Sequence, residues 1–225
     1  ALTRAVDSGM QVINWSGSLT KQNAAGTIAG YSCPNQNDAF CTMLDYMTTR
    51  EVLMPVSTGN FNQASANLNS PLRYSNLYSI LPVGGTEIFN PQPGVPGARW
   101  NFNVNVGSSE STFDGVIAPA KSIVSSYTAG RSYNYDPSSM CGDILSTDES
   151  GGRYPDGLGD GVGSCTGTSM AAPHITALAG LVRSVNPRLT ALETRSIIQN
   201  SGNLAANRTV ALGYGMRNAL TAIIS

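Results

Sequence analysis

The stretch from Gly167 to Val185 constrains this chain more than any other. Gly167-Thr168-Ser169-Met170-Ala171-Ala172-Pro173-His174 places a serine in a glycine-led turn that runs directly into an apolar segment of small residues. Ile175, Leu178, Leu181, Val182 and Val185 recur at helical spacing, and Ala171, Ala172, Ala177, Ala179 and Gly180 permit close packing on every side, which predicts a buried central helix. Pro173 fits only in the first turn of that helix, where its missing N–H costs little. A helix N-terminus offers unpaired N–H groups and the positive end of the dipole, an arrangement able to stabilise an acyl-transfer oxyanion, and Gly167 lets the backbone approach a substrate closely. Ser169 is therefore the candidate nucleophile.

Elsewhere the pattern alternates strands with helices. Met10 to Ser16 reads as a buried strand, Gly17 to Asp38 as a long connection, Ala39 to Arg50 as a helix and Val52 to Thr58 as a second apolar strand. That rhythm predicts an α/β fold with a mostly parallel sheet and helices on both faces. Tyr78 to Gly84 is a further strand, Thr86 to Val106 a hairpin or loop, and Val116–Ile117 and Ile123–Tyr127 are short strands. In the last third, Asn186-Pro187 stops the nucleophile helix, Thr190-Ala191-Leu192-Glu193 has the capping-box pattern and Ser201-Gly202 ends the helix that it opens. Gly213-Tyr214-Gly215 is a turn before a final helix, with Asn218 as its cap and Leu220, Ile223 and Ile224 facing inward. The 225 residues suffice for one domain, 1–225, with loop-rich insertions at 17–50 and 130–166.

Three stretches carry a family resemblance. The string Gly167 to His174 resembles the nucleophile motif of the subtilisin-like serine proteases. Val52-Leu53-Met54-Pro55-Val56-Ser57-Thr58-Gly59-Asn60 resembles that family's buried strand ending in Gly-Asn, and Phe113-Asp114-Gly115-Val116-Ile117-Ala118-Pro119 the strand and Ala-Pro turn before the serine loop. The resemblance implies a peptide or protein substrate, with Ser169 as nucleophile and the Asn60 amide as a donor to the oxyanion. It implies that Ser16, Gly17 and Ser18 pair with the substrate backbone and that Ser57, Thr58 and Gly59 line the pocket for the residue before the cut.

The same resemblance exposes a gap, because the family orders its triad aspartate, histidine, serine. This chain has one histidine, His174. It follows Ser169 by five positions, which on a helix is a net rotation of roughly 140° and a rise of about 7.5 Å, so it cannot serve as the base. Asp7-Ser8-Gly9 imitates the family's aspartate turn, but Leu2, Ala5 and Val6 sit at helical spacing and make it a helix end, and no histidine segment follows. The chain thus resembles the C-terminal portion of a catalytic domain whose N-terminal part is absent from it. The expected partner is an N-terminal fragment or second chain carrying the aspartate and histidine. Two alternatives stand beside the peptidase: a catalytically incomplete peptide-binding or scaffold module, and a hydrolase of another type using lysine or glutamate as base.

Composition bounds the remaining classes. A net charge of −1, two lysines and no basic run give no electrostatic footprint for nucleic acid or an anionic membrane, and no apolar run approaches the roughly 20 residues of a membrane span. The start at Ala1 suggests a processed or trimmed chain. Four cysteines without close pairs argue against zinc. In a family that is mostly exported, and so for a secreted or extracytoplasmic protein, they suggest disulfides, with Cys33–Cys41 and Cys141–Cys165 the expected pairs. The sequence itself allows three pairings, as well as free buried thiols. The loop Asp156-Gly157-Leu158-Gly159-Asp160-Gly161 offers oxygen ligands of the kind calcium takes but lacks EF-hand spacing; it is expected to be a solvated turn, and no metal or cofactor is expected.

Overall fold

The computed structural model describes residues 1–17, 20–22, 28–30, 39–62, 78–87, 99–103, 106–112, 114–126, 141–143, 145–147, 153–155, 162–216 and 219–224. Helix α1 (Leu2–Asp7) is followed by an antiparallel pair, β1 (Thr20–Gln22) and β2 (Ile28–Gly30), and by α2 (Ala39–Thr49). Next come β3 (Met54–Ser57) and β4 (Ile80–Thr86), the antiparallel β5 (Asn101–Asn103) and β6 (Val106–Gly107), and β7 (Val116–Pro119). A second group of strands comprises β8 (Ile123–Ser126), β9 (Cys141–Asp143), β10 (Leu145–Thr147), β11 (Arg153–Pro155) and β12 (Val162–Cys165). Helices α3 (Thr168–Val185), α4 (Ala191–Asn200) and α5 (Ala219–Ile224) complete the described elements.

The expected parallel sheet is present, in the order β3-β4-β7. Side chains alternate across a strand, so its apolar residues serve two cores. Leu53, Leu81 and Val83 face α3, while Met54, Val56 and Ile80 face α1 and α2 around Val6, Leu44 and Met47. Both faces of the sheet are therefore covered by helices. Among the described residues, no helix is long and apolar enough to cross a membrane.

Three expectations need correction. The segment 11–16 is extended and parallel to β3, but it is a half-buried edge rather than a buried strand, with Asn14 and Ser16 exposed. It bridges β3 only at Val12 opposite Leu53 and Trp15 opposite Val56, because Pro55 has no N–H to continue the ladder between them. Second, α3 is not buried on every side. Ala171, Ala172, Ile175, Leu178, Ala179 and Val182 pack inward, whereas Leu181 (50% exposed) is rotated off that stripe and Val185 (63% exposed) is the last residue of the helix. Third, the stretch between the Ala-Pro turn and Ser169 is not simply loop: β12 lies antiparallel between β8 and β9, and β10 pairs with β11.

The C-terminal punctuation follows the sequence closely. Thr190 Oγ1 accepts the Glu193 N–H at 3.1 Å, and Glu193 Oε2 accepts the Thr190 N–H at 2.8 Å. The Thr190 backbone N–H, and then its hydroxyl, hold the Glu193 carboxyl below its ordinary value. The cap therefore contributes fully above the unfolded-state value near 4.5 and is lost as pH falls through the lower folded-state value. Glu193→Gln is expected to lower the melting temperature at pH 7, with the difference from the parent closing as pH falls below the unfolded-state value and through the lower folded-state one, as read by thermal unfolding across pH. In the final helix Ala222 is buried and Ile223 half-buried, while Asn218 and the side chains of Leu220 and Ile224 lie outside the described residues.

One charged side chain ties the layers together. Arg183 lies on the buried side of α3, 4% exposed, and donates Nε to Thr194 Oγ1 of α4 at 2.9 Å, Nη1 to the Gln11 carbonyl at 3.2 Å and Nη2 to the Glu51 carbonyl at 2.9 Å. Burial pushes its pKa down, and Glu51 opposes that shift. The Glu51 carboxylate in turn accepts the Ala191 N–H, in the first turn of α4, at 2.8 Å.

Candidate active site

The first turn of α3 and the end of β3 meet at one point. Gly167, the N-cap, has φ +150, and a Cβ there would lie 3.0 Å from Asn60 Nδ2 and 3.2 Å from Asn60 Oδ1. Glycine is required both by the backbone and by the amide packed over it. The Gly167 N–H donates to the Ala120 carbonyl at 2.8 Å, which anchors the turn directly after β7.

Thr168, fully buried, fixes the asparagine. Its backbone N–H and its Oγ1 both donate to Asn60 Oδ1, at 2.8 and 2.9 Å, and its Oγ1 accepts the Gly59 N–H at 3.0 Å. With the amide oxygen occupied by two donors, the two hydrogens of Nδ2 are directed away from Thr168. Gly59 has φ +93, the left-handed turn that carries the chain from β3 to Asn60. Sequence reasoning identified Asn60 but missed Thr168; its signal was a hydroxyl residue wedged between the glycine and the serine.

Ser169 is half-buried, and its Oγ donates to the Ser16 carbonyl at 3.3 Å. Its N–H is among the first-turn groups that have no intrahelical acceptor. Ser16 and Gly17 are exposed beside it, and Ser18 lies outside the described residues. Ser57 and Thr58 are buried at 5% and 4% exposure, and the Thr58 hydroxyl donates to the Ser109 carbonyl at 3.1 Å, so Gly59 and Asn60 form the more open part of that strand end.

The remaining ionisable candidates are each bound to another partner. His174 is exposed on α3, and its Nδ1 donates to the Met170 carbonyl of its own helix at 2.8 Å. Asp7 accepts the Tyr46 hydroxyl of α2 at 2.5 Å, and that bond raises the tyrosine pKa. Lys121 pairs with Glu87 at 3.4 Å. Among the described residues no cluster of histidine, cysteine, aspartate or glutamate could hold a metal ion, and the acidic loop 156–161 lies outside them.

The chain is 29% identical over 194 residues to the alkaline proteinase of Hapsidospora chrysogena, covering 83% of this chain and 36% of that protein. Its fold matches fervidolysin of Fervidobacterium pennivorans with a TM-score of 0.60 at 22% identity, over 100% of this chain and 28% of that one. The prenylagaramide maturation protease PagA matches with a TM-score of 0.60 at 19% identity, over 100% of this chain and 65% of that one. The chain thus spans about a third of the alkaline proteinase and under two thirds of PagA. The subtilase family model matches residues 1–216, and with the glycine-led serine turn and the asparagine fixed above it, the chain belongs to the subtilase family.

Proposed function

We propose that this chain is the nucleophile-bearing portion of a serine endopeptidase. Ser169 Oγ attacks a substrate peptide carbonyl as its proton passes to a base, and the amine leaves to give an acyl-enzyme that water then hydrolyses. Asn60 Nδ2 and the Ser169 N–H hold the oxyanion. The observation that carries this reading is the double commitment of Asn60 Oδ1 to Thr168, which leaves the amide nitrogen, packed over Gly167 at the start of α3, as the group available to an oxyanion. Substrate adds as a strand along Ser16, Gly17 and Ser18, and Ser57, Thr58 and Gly59 form a small, uncharged pocket wall that sets no charge preference.

The base and its carboxylate come from a polypeptide segment outside these residues. It pairs with the outer edge of 11–16, where Ile13 and Trp15 turn their N–H groups to β3, and no backbone hydrogen bond among the described residues reaches the N–H of Val12 or Asn14. Neither a metal nor a cofactor takes part. We infer that Cys41 and Cys165 are disulfide-bonded. Cys165 stands opposite Cys141 in an antiparallel ladder, a separation compatible with a bridge, which supports Cys141–Cys165 and Cys33–Cys41 as the pairs and an extracytoplasmic location. Peptide mapping without reduction reads the pairing.

A fluorophosphonate added to the protein together with any polypeptide that copurifies with it is expected to label Ser169, and Ser169→Ala to abolish the label. Absence of labelling in the parent would sink the peptidase reading.

A further inference from the structure

We propose that the side chains of Ser16 and Asn14 position the nucleophile, acting through the carbonyl of Ser169, while the Ser16 backbone remains the part that meets substrate. In an α-helix the N–H of each residue donates to the carbonyl four positions earlier. Four positions after Ser169 stands Pro173, which has no N–H, so the nucleophile residue's own carbonyl is without its helical donor. The Ser16 hydroxyl takes that place, donating to the Ser169 carbonyl at 2.8 Å.

The direction of that hydroxyl is itself set. Asn14 Nδ2 donates to Ser16 Oγ at 2.8 Å, which leaves the hydroxyl's one proton for Ser169. Thr176 Oγ1, which also reaches the Ala172 carbonyl at 3.0 Å, lies 3.1 Å from Asn14 Oδ1 and orients the amide. The path leaves α3 at Thr176, crosses the edge segment through Asn14 and Ser16, and returns to α3 at Ser169. Ser169 Oγ then donates back to the Ser16 carbonyl, so the two serines are held by reciprocal hydroxyl-to-carbonyl bonds. Apart from the Thr176 contact to Ala172, these bonds lie at the exposed edge of the molecule, where water competes for each group, so their effect falls on direction more than on global stability. The link stands on geometry; its catalytic meaning rests on the peptidase reading above.

A chain labelled with carbonyl-13C serine and 15N methionine tests the link directly. Its two Ser–Met peptide bonds, 139–140 and 169–170, give two carbonyl-to-amide signals. Ser16→Ala and Asn14→Ala are expected to move the Ser169 carbonyl signal and leave the other in place, and Ser16→Thr, which keeps the hydroxyl, to return it. Pro173→Ala gives the helix its own N–H, so Ser16→Ala in that background is expected to be silent. An unmoved Ser169 signal in Ser16→Ala, or an equal shift with and without Pro173, overturns the proposal. In the copurified material, Ser16→Ala is expected to slow fluorophosphonate labelling about tenfold with an unchanged unfolding midpoint, since small displacements of a reacting atom carry large rate costs. A moved carbonyl with an unchanged labelling rate overturns the positioning role. Failure of the parent to label counts against the peptidase reading, while the carbonyl signal still decides the link.

Discussion

Peptide hydrolysis by the rigorously isolated 225-residue chain is expected to run only at a residual rate, and Ser169→Ala to leave that rate unchanged. On the proposed reading, the base is supplied from outside these residues. His174 is bound to its own helix, Asp7 to Tyr46 and Lys121 to Glu87, so none is placed to take the Ser169 proton. Removing members of a serine triad costs on the order of 10⁶ in kcat and leaves only what the oxyanion site and binding supply. Material retaining any polypeptide that copurifies with the chain is expected to recover that factor. Steady-state hydrolysis before and after denaturing separation measures it. Full activity in the isolated chain that disappears on Ser169→Ala would mean that a base exists within these residues.

The second large effect concerns the asparagine and the threonine that orients it. In active material Asn60→Ala is expected to lower kcat by about 100- to 1000-fold with little change in KM, because the donor acts on charge that develops only in the transition state. Thr168→Val keeps the shape but removes the acceptor of the Gly59 N–H and one of the two donors to Asn60 Oδ1. It is expected to lower kcat and also to cost about 1–3 kcal/mol of stability, because the Gly59 N–H is left without its partner. Parallel kinetics and denaturant unfolding separate the two effects. An Asn60→Ala variant that raises KM at constant kcat would move Asn60 from the oxyanion site to the substrate-binding wall.

Local chemistry was the legible part of this chain. The Asn186 stop, the Thr190–Glu193 box and the apolar run of β3 follow from propensities, caps and periodicity within a few residues, whereas α3 begins already at Thr168 and carries Pro173 in its second turn, not in the first turn where it was expected. What depends on distant partners was not legible. The bare side of α3 arises because no described element packs over Leu181, and helical spacing cannot tell an inward leucine from one with nothing above it. The interruption of the 11–16 ladder was written in Pro55 but needed the pairing with β3 to be meaningful. Antiparallel strands such as β9, β10 and β11 are three residues each, too short and polar for an alternating pattern to stand out. At the site, Asn60 and Ser169 were named from motif, whereas the roles of Thr168 and Ser16 emerged only from who donates to whom. Arg183 offered one overlooked signal: it falls four residues after Ala179 and eight after Ile175, on the apolar stripe of its helix.

That arginine also orders events during folding. Its partners lie 172, 132 and 11 residues away along the chain, so the guanidinium is satisfied only when Gln11, Glu51 and Thr194 have all arrived. A form with only local elements assembled would hold a bare cation in an apolar seam, and non-local closures of this kind come late and slowly. The 11–16 edge and α3 are therefore completed in one step, and an intermediate possessing the serine turn without its neighbouring edge is denied a stable place on the folding route.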